Sequence, residues 1–451
     1  MDDLEPRWLR YGLSSDPFFS NPLDADTGTN YPIELFQGRK SERKRLGQAI
    51  VDSDHSATLI HAGGGHGKTT LANAVCFDLT RNGYAVLPEE IQFRPDAGFS
   101  GFLAQMLHAF LQALSDRGAK LPRIPDDGNV DATDFPNLAK ARLLVQMTRV
   151  QTGAGLDVST VIGGGGSSNQ FDFLQPRLDA GVGRQLVDGM VKEAKRLDKR
   201  LKGFVVRLNE LDVAAAYKPK ELRTFLDDAR NLLQVPGMHF IMMGSHAVWD
   251  TIDSMARVRT EFAHDVALEA FSLDDVTAIL TARYKHLRGT GQFVDPVAPG
   301  LVAALHDVHF GDLRNILRDL RRAVTLANPV EIRPVTKEEA LPLLEAVHYR
   351  DLEKDLGPEG WETLNAMEAA GKPIRQKDLA AVLNITEPGV NQRFKPLRNL
   401  SLIDLVQEDG RSQYFRLQSR ARLAVHEYRR RIERGEAPLK PRRRTRPGTA
   451  R

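Results

Sequence analysis

Nine consecutive residues, Ala62-Gly63-Gly64-Gly65-His66-Gly67-Lys68-Thr69-Thr70, carry the plainest chemistry in this chain. A short apolar run (Ala57, Leu59, Ile60) precedes them, and Leu71, Ala72, Ala74 and Val75 follow. Strand, glycine-rich turn and helix is the setting of a phosphate-binding loop. Glycines let backbone N–H groups turn inward around a polyphosphate. Lys68 has the reach for the β- and γ-phosphates, and Thr69 has a hydroxyl for Mg²⁺. The helix that begins there adds its partial positive charge. Gly63 to Gly67, with His66 among them, and Lys68, Thr69 and Thr70 are therefore expected to hold a nucleotide. Ala62 stands where the motif usually opens on glycine.

Two further stretches offer groups for phosphate chemistry. Phe204-Val205-Val206-Arg207-Leu208-Asn209-Glu210-Leu211-Asp212 reads as a buried strand ending in polar residues, where a P-loop enzyme places its magnesium-ordering and water-activating groups. Glu210 is the candidate base. Asn209 stands where an aspartate is usual, and an amide carries no charge. Magnesium binding is expected to be weaker here unless Asp212 compensates, and hydrolysis of ATP to ADP and phosphate is expected to be slow. His239 to Met243 forms a second apolar strand ending at Gly244-Ser245-His246. Either Ser245 or His246 could orient the attacking water.

The rest of the chain has to position these groups. With 451 residues, 41% of them hydrophobic and 27% charged, the chain has room for about three domains. No apolar run is long enough for a membrane span, and the acidic first residues do not read as a signal peptide. One cysteine, Cys76, allows neither a disulfide nor a zinc site and fits a reducing cytoplasm. The net charge of +3 is uneven: Arg429–Arg451 holds ten Arg/Lys against two Glu, or +8, leaving −5 elsewhere. A basic tail on a mildly acidic body suits a polyanion, although such tails also occur simply solvated.

Residues 1–31 carry Trp8, Tyr11, Phe18, Phe19 and Tyr31 among Pro, Asp and Ser, and read as an extended arm packed onto something rather than as a domain. Ile33, in the apolar segment just ahead of the loop, is placed either to cover an adenine or to pack on the first helix. Apolar spacing predicts a buried amphipathic helix over Phe99–Leu114 and a further helix over Leu138–Val150. A glycine-rich insert near 153–170 reads as a linker or as a hairpin reaching a partner. Arg257 and Arg259 lie on a segment beyond the second strand. Ser272 and Asp275 form a capping box at the start of a helical region. Gly311-Asp312-Leu313-Arg314 opens another helix.

Three helices and a hairpin follow. Gly360–Ala370 and Gln376–Leu383 are helical, Thr386 caps a third helix running to Leu400, and Pro388 lies in its first turn. Pro396 should kink that helix. Glu408-Asp409-Gly410-Arg411 marks a hairpin turn. This order is that of a winged helix, whose third helix would enter the major groove. Asn391, Gln392, Arg393, Lys395 and Arg398 would then face double-stranded DNA, with Arg411 at the wing tip and the tail adding salt-sensitive affinity. Many winged helices bind protein instead.

Gly38-Arg39-x-x-Glu42, the phosphate loop, Asn209-Glu210-Leu211-Asp212, Arg257-Val258-x-Thr260 and Gly311-Asp312-x-Arg314 together resemble the AAA+ ATPases of the origin-recognition and archaeal replication-initiator clade, with some likeness to transposition-regulator ATPases. The resemblance, over roughly residues 32–425, implies an α/β P-loop base over 32–266, an α-helical lid over 267–345 and a winged helix over 350–425, followed by the basic tail over 426–451. It implies ATP and Mg²⁺, the latter on Thr69 and Asn209. It makes Arg257 a finger inserted into a neighbouring subunit, with Arg259 the alternative, and Arg314 the lid arginine. A nucleotide-controlled homo-oligomer on DNA is the expectation. A signalling switch with a protein effector is the rival.

Overall fold

The computed structural model describes residues 6–24, 31–88, 90–95, 97–124, 129–150, 180–212, 215, 218–262, 264–327, 332–409 and 412–436. The insert near 153–170, Gly410, Arg411 and the last fifteen residues lie outside them. The chain divides into two compact units, 21–269 and 1–20 together with 270–451.

The first unit is a parallel sheet between helices. Its strands are β1 (Ser56–His61), β2 (Ala85–Val86), β3 (Ile91–Gln92), β4 (Phe204–Asn209), β5 (Met238–Gly244) and β6 (His264–Ala267), in the order β2-β4-β5-β1-β6 with β3 also on β4. Its helices are α1 (Lys40–Val51), α2 (Lys68–Arg81), α3 (Gly98–Asp116), α4 (Pro136–Val150), α5 (Ala180–Leu197), α6 (Pro219–Leu233), α7 (His246–Asp253) and α8 (Ala256–Arg259). β1 and β5 are buried along their whole length, as parallel strands covered on both faces must be. One core, with Phe102, Phe110, Phe204 and Phe225, fills one side. The other, with Leu46, Leu71, Val75 and Val205, lies under α1 and α2. Parallel crossovers leave the carboxyl ends of β1, β4 and β5 at one edge, where ligands of open α/β sheets bind.

The second unit begins with the amino-terminal segment. Residues 7–10 form a turn of helix, and Tyr11, Leu13 and Phe18 are buried in a helical core with Leu280, Leu301 and Leu320. Arg283 fixes them, donating to the carbonyls of Pro17 and Phe19 at 3.0 and 2.7 Å and lying 3.7 Å from the Phe19 ring. Burial of the aromatic side chains outweighs the turn-forming Pro, Asp and Ser between them. The helices of this core are α9 (Leu273–Leu287), α10 (Pro299–His309), α11 (Leu313–Ala327) and α12 (Lys337–Leu352). The Ser272–Asp275 capping box starts α9 as expected. Asp319 is fully buried and accepts from Nε2 of His309 and of His348, each at 3.0 Å. Desolvation opposes its charge, yet these two hydrogen bonds keep its carboxyl well below the usual range.

The same unit continues with α13 (Pro358–Ala370), β7 (Ile374–Arg375), α14 (Gln376–Leu383), α15 (Glu387–Asn399), β8 (Ile403–Asp409) and β9 (Ser412–Leu417), in a sheet of order β7-β9-β8. Thr386 caps α15 by accepting from the Gly389 N–H at 3.3 Å. The helix runs on through Pro396 to Asn399. Pro396 falls in the last turn, so it removes one bond while burial of Val390, Phe394 and Leu397 carries the helix past it. The last helix, α16 (Ser419–Glu433), packs along α12 and α13. Among the described residues no helix is long and apolar enough to cross a membrane.

Candidate nucleotide site

The loop between β1 and α2 is wrapped by left-handed glycines, Gly65 at φ 74° and Gly67 at φ 83°. Both conformations are open to glycine at little cost. A side chain on Gly63 would meet the His66 ring at 2.8 Å, because His66 Nδ1 is folded onto the Gly64 carbonyl at 2.8 Å. Lys68, first residue of α2, donates to the carbonyls of Ala62 and Gly63 at 2.9 and 3.0 Å. An ammonium held across the mouth of the loop is placed where a terminal phosphate would take it over. Thr69 and Thr70 follow on the first turn, both partly exposed.

The ends of β4 and β5 meet this loop from the next strands. Ala62 donates to the Gly244 carbonyl at 3.1 Å, and His61 pairs with Gly244 in register. Asp212 accepts the backbone N–H of Ser245, and its other oxygen lies 4.0 Å from Lys68 Nζ. Asp212 is thus a clamp between the two strand tips. Glu210 is exposed and takes φ 65°, an unusual backbone for a side-chain-bearing residue that costs about 1 to 3 kcal/mol and clusters at functional sites. Asn209, half buried, pairs with Gln92. Thr69 and Asn209 offer neutral oxygens at this edge, where the carboxylates of Glu210 and Asp212 also stand. Neutral oxygens suit a magnesium ion whose charge is balanced mainly by substrate phosphates.

Ile33 is buried at 3% exposure in a short helical turn, Ile33–Leu35, that touches α2, so the packing alternative describes its contacts. Nearby in sequence, Arg39 adopts φ 54° at the start of α1, reaches Glu42 at 3.3 Å and donates to the Glu269 carbonyl. With Ser41, Arg45 and Ala267 these residues line a cleft of about 250 Å³.

The two candidate finger arginines differ in their surroundings. Arg259 lies 4.6 Å from the Trp249 ring and donates to Asp253 at 3.2 Å and to the Phe262 carbonyl at 2.7 Å. Arg257 is exposed and makes no ion pair among the described residues. At the other motif, Gly311 (φ 73°) packs so close to the Phe271 carbonyl that a Cβ would lie 2.4 Å from it. Asp312 caps α11 through the Asn315 N–H at 3.1 Å. Gly311 and Asp312 therefore shape the turn, and Arg314 is left exposed on the first turn of α11.

On α15, Gln392, Lys395 and Arg398 are exposed, and so is Asn391, which accepts from Gln376 at 2.9 Å. Arg393 departs from expectation. It turns back to α13, 2.8 Å from Glu362 and 3.9 Å from Glu359, with only 16% of its side chain exposed. The beginning of the basic tail is likewise committed inside the fold: Arg430 to Glu345 and Glu427, Arg431 to Glu427, Arg434 to Glu427 and Glu436, and Arg429 to Asn365. Arg411 lies outside the described residues.

Sequence reasoning missed His61, the last residue of β1. Its Nε2 is 3.1 Å from Asp265 and its Nδ1 is 3.0 Å from Nδ1 of His246. A lone histidine closing an apolar strand, with an aspartate two residues into the neighbouring one, was the signal available.

No family model matches the chain, and no curated protein does. Solved structures to which it is similar include the Aeropyrum pernix ORC1 protein in complex with DNA (16% identity, covering 87% of this chain and 92% of that one, TM-score 0.43). The Aeropyrum pernix ORC2 protein in ADPNP–ADP complexes is similar at 16% identity, covering 94% of this chain and 100% of that one, TM-score 0.48. The Thermotoga maritima RuvB Holliday junction branch migration motor is similar at 13% identity, covering 84% and 92%, TM-score 0.38.

Proposed function

We propose that this chain is an ATP-binding AAA+ protein that hydrolyses ATP slowly and associates with duplex DNA as a nucleotide-controlled oligomeric switch. The observation that carries the reading is Lys68 held 2.9 and 3.0 Å from the loop carbonyls, beside the Asp212 clamp and Glu210. Gly63 to Gly67, Lys68, Thr69 and Thr70 bind the triphosphate. Thr69 and Asn209 hold Mg²⁺, which when bound offsets charge on the phosphate oxygens. Glu210 polarises the attacking water. Arg257 serves a neighbouring copy as a finger, and Arg314 is the lid arginine. The module from α13 to β9 is a winged helix that meets DNA through Asn391, Gln392, Lys395 and Arg398, with Arg411 at the wing.

Titration calorimetry of the full chain with ATP and Mg²⁺ tests the core of this reading. Saturable uptake that Lys68→Ala abolishes is expected. A parent that takes up no ATP ends the proposal.

A second reading, a switch whose module docks a protein effector, is favoured by one set of observations. Arg393 and four tail arginines are internally engaged, while Val382, Leu405 and Val406 on the same module are exposed at 64%, 47% and 38%. Duplex binding that falls with salt supports the DNA reading. Its absence favours the effector.

A further inference from the structure

We propose that Asp265, His61 and His246 form a proton relay beside the phosphate loop, in which His246 takes the proton of the water that attacks the γ-phosphate. This rests on the ATPase reading above and assigns a route for the proton within it.

With Asp265 ionised and both rings neutral, the hydrogen-bond pattern selects the tautomers. An ionised Asp265 only accepts, so His61 Nε2, 3.1 Å away, carries the proton between them. A neutral His61 then has a bare Nδ1. The contact of 3.0 Å between the two Nδ1 atoms needs one proton, and it has to come from His246. His246 is left with an unprotonated Nε2, an acceptor. The ring is exposed at the start of α7, two residues beyond Gly244, whose carbonyl holds the first residue of the phosphate loop.

The scaffold fixes this arrangement. Trp249, one turn further on α7, stacks on His61 with ring centres 5.5 Å apart and planes within 7°. Arg259 of α8 lies 4.6 Å from the Trp249 ring in turn. The titratable and charged groups facing His246 are His61 from β1 with Asp265 behind it, Asp250 on its own helix, and His66 and Lys68 from the loop and α2. Burial first, then His61 and more weakly His66 and Lys68, hold His246 below the ordinary histidine range, with Asp250 opposing. It therefore stays an acceptor at neutral pH.

In the hydrolytic step, the water oxygen bonds to the γ-phosphorus, the bond to the β–γ bridging oxygen breaks, and its electron pair leaves with ADP. The water proton passes to His246 Nε2, and the Nδ1 proton moves on to His61 Nδ1. The resulting His61 imidazolium rests against the Asp265 carboxylate. One water proton leaves through His246 and the other stays on the released phosphate, while Glu210 polarises the water by accepting a hydrogen bond from it.

The test follows ATP turnover of the full chain from about pH 5 to 9, a window that spans histidine titration, together with ATP affinity by calorimetry. His246→Asn is expected to lower turnover on the order of a hundredfold and to flatten the acidic limb, with ATP affinity unchanged. Asp265→Asn, further from the substrate, should cost roughly tenfold to a hundredfold. If Asp265→Asn does not fold, His246→Asn at its exposed position still decides the matter. Parental turnover and limb in His246→Asn would overturn the relay. So would an equal loss of ATP affinity, which would make the cluster a mere prop for the loop. A parent that binds ATP but never turns it over overturns the relay alone, whereas a parent that binds no ATP removes the reading beneath it.

Discussion

Arg257 and Arg259 lie two positions apart on α8, and only Arg259 is tied down, against Trp249, Asp253 and the Phe262 carbonyl. The two arginines that the sequence could not separate are thereby distinguished. Arg257→Ala should leave stability within about 0.5 kcal/mol, as for an exposed residue, yet lower turnover of the assembled protein about a thousandfold if it serves a neighbour's γ-phosphate. Arg259→Ala should instead cost roughly 1 kcal/mol of stability, because its cation–ring interaction and hydrogen bonds disappear. Urea unfolding beside ATP turnover separates the two. A reversed pattern would hand the finger to Arg259.

Gly311→Ala places a methyl group 2.4 Å from the Phe271 carbonyl at a backbone φ of 73°. Neither partner can yield easily, because the Phe271 N–H donates back to the Gly311 carbonyl at 3.3 Å. The substitution should destabilise the helical unit by about 2 kcal/mol or more. Arg314→Ala, on the exposed turn beside it, should be nearly neutral in the same urea titration. Equal effects would mean that the motif is wholly structural.

The elements that were legible in the sequence are those whose signal is local. The phosphate loop needs glycines next to one another, the Ser272–Asp275 capping box is closed within four residues, and β4 and β5 are short strands made mostly of apolar residues. What could not be read depends on partners far along the chain. Arg393 meets Glu362 across 31 positions, and Arg430 meets Glu345 across 85, so charges that looked free were already matched. The aromatic arm pairs with helices more than 260 residues away. His61 and His246 are separated by 185 positions and meet only because β1 and β5 are sheet neighbours.

If α15 meets duplex DNA, the contribution must come from its exposed cations. Lys395→Ala and Arg398→Ala together should weaken duplex binding at all sequences and reduce the salt slope by about one for each phosphate no longer neutralised. Arg393→Ala should leave that slope unchanged and lower stability instead, through its pairs with Glu362 and Glu359. Fluorescence anisotropy over a salt series reads the slope. A slope that moves only with Arg393 would contradict this assignment.

Asn209 closes β4 with an uncharged amide directly before Glu210. Asn209→Asp would add a negative charge beside the phosphates and strengthen magnesium binding, since hard cations favour carboxylate oxygens. Turnover is expected to rise severalfold, and the Mg²⁺ needed for half-maximal rate should fall. Unchanged or lower turnover would show that the missing acid does not limit the reaction.

The pH dependence of stability should carry the mark of His426 on α16. Its two ring nitrogens lie 3.1 Å from Glu345 on α12 and 3.4 Å from Glu368 on α13. Hydrogen bonds to Glu345 and then Glu368, against the opposing desolvation, raise its affinity for the proton to a pKa of about 9. An unfolded histidine titrates near about 6.5. A group whose folded pKa is raised contributes fully below the unfolded value, and that contribution fades as pH climbs through the folded one. The charged ring is therefore worth most below neutrality and is spent by about pH 10. Urea midpoints of the parent should exceed those of His426→Gln at about pH 6, a margin expected to shrink steadily between about 6.5 and 9. Because the side chain is 41% exposed, solvent screening keeps that margin modest. A margin independent of pH would mean that His426 joins these helices by shape alone.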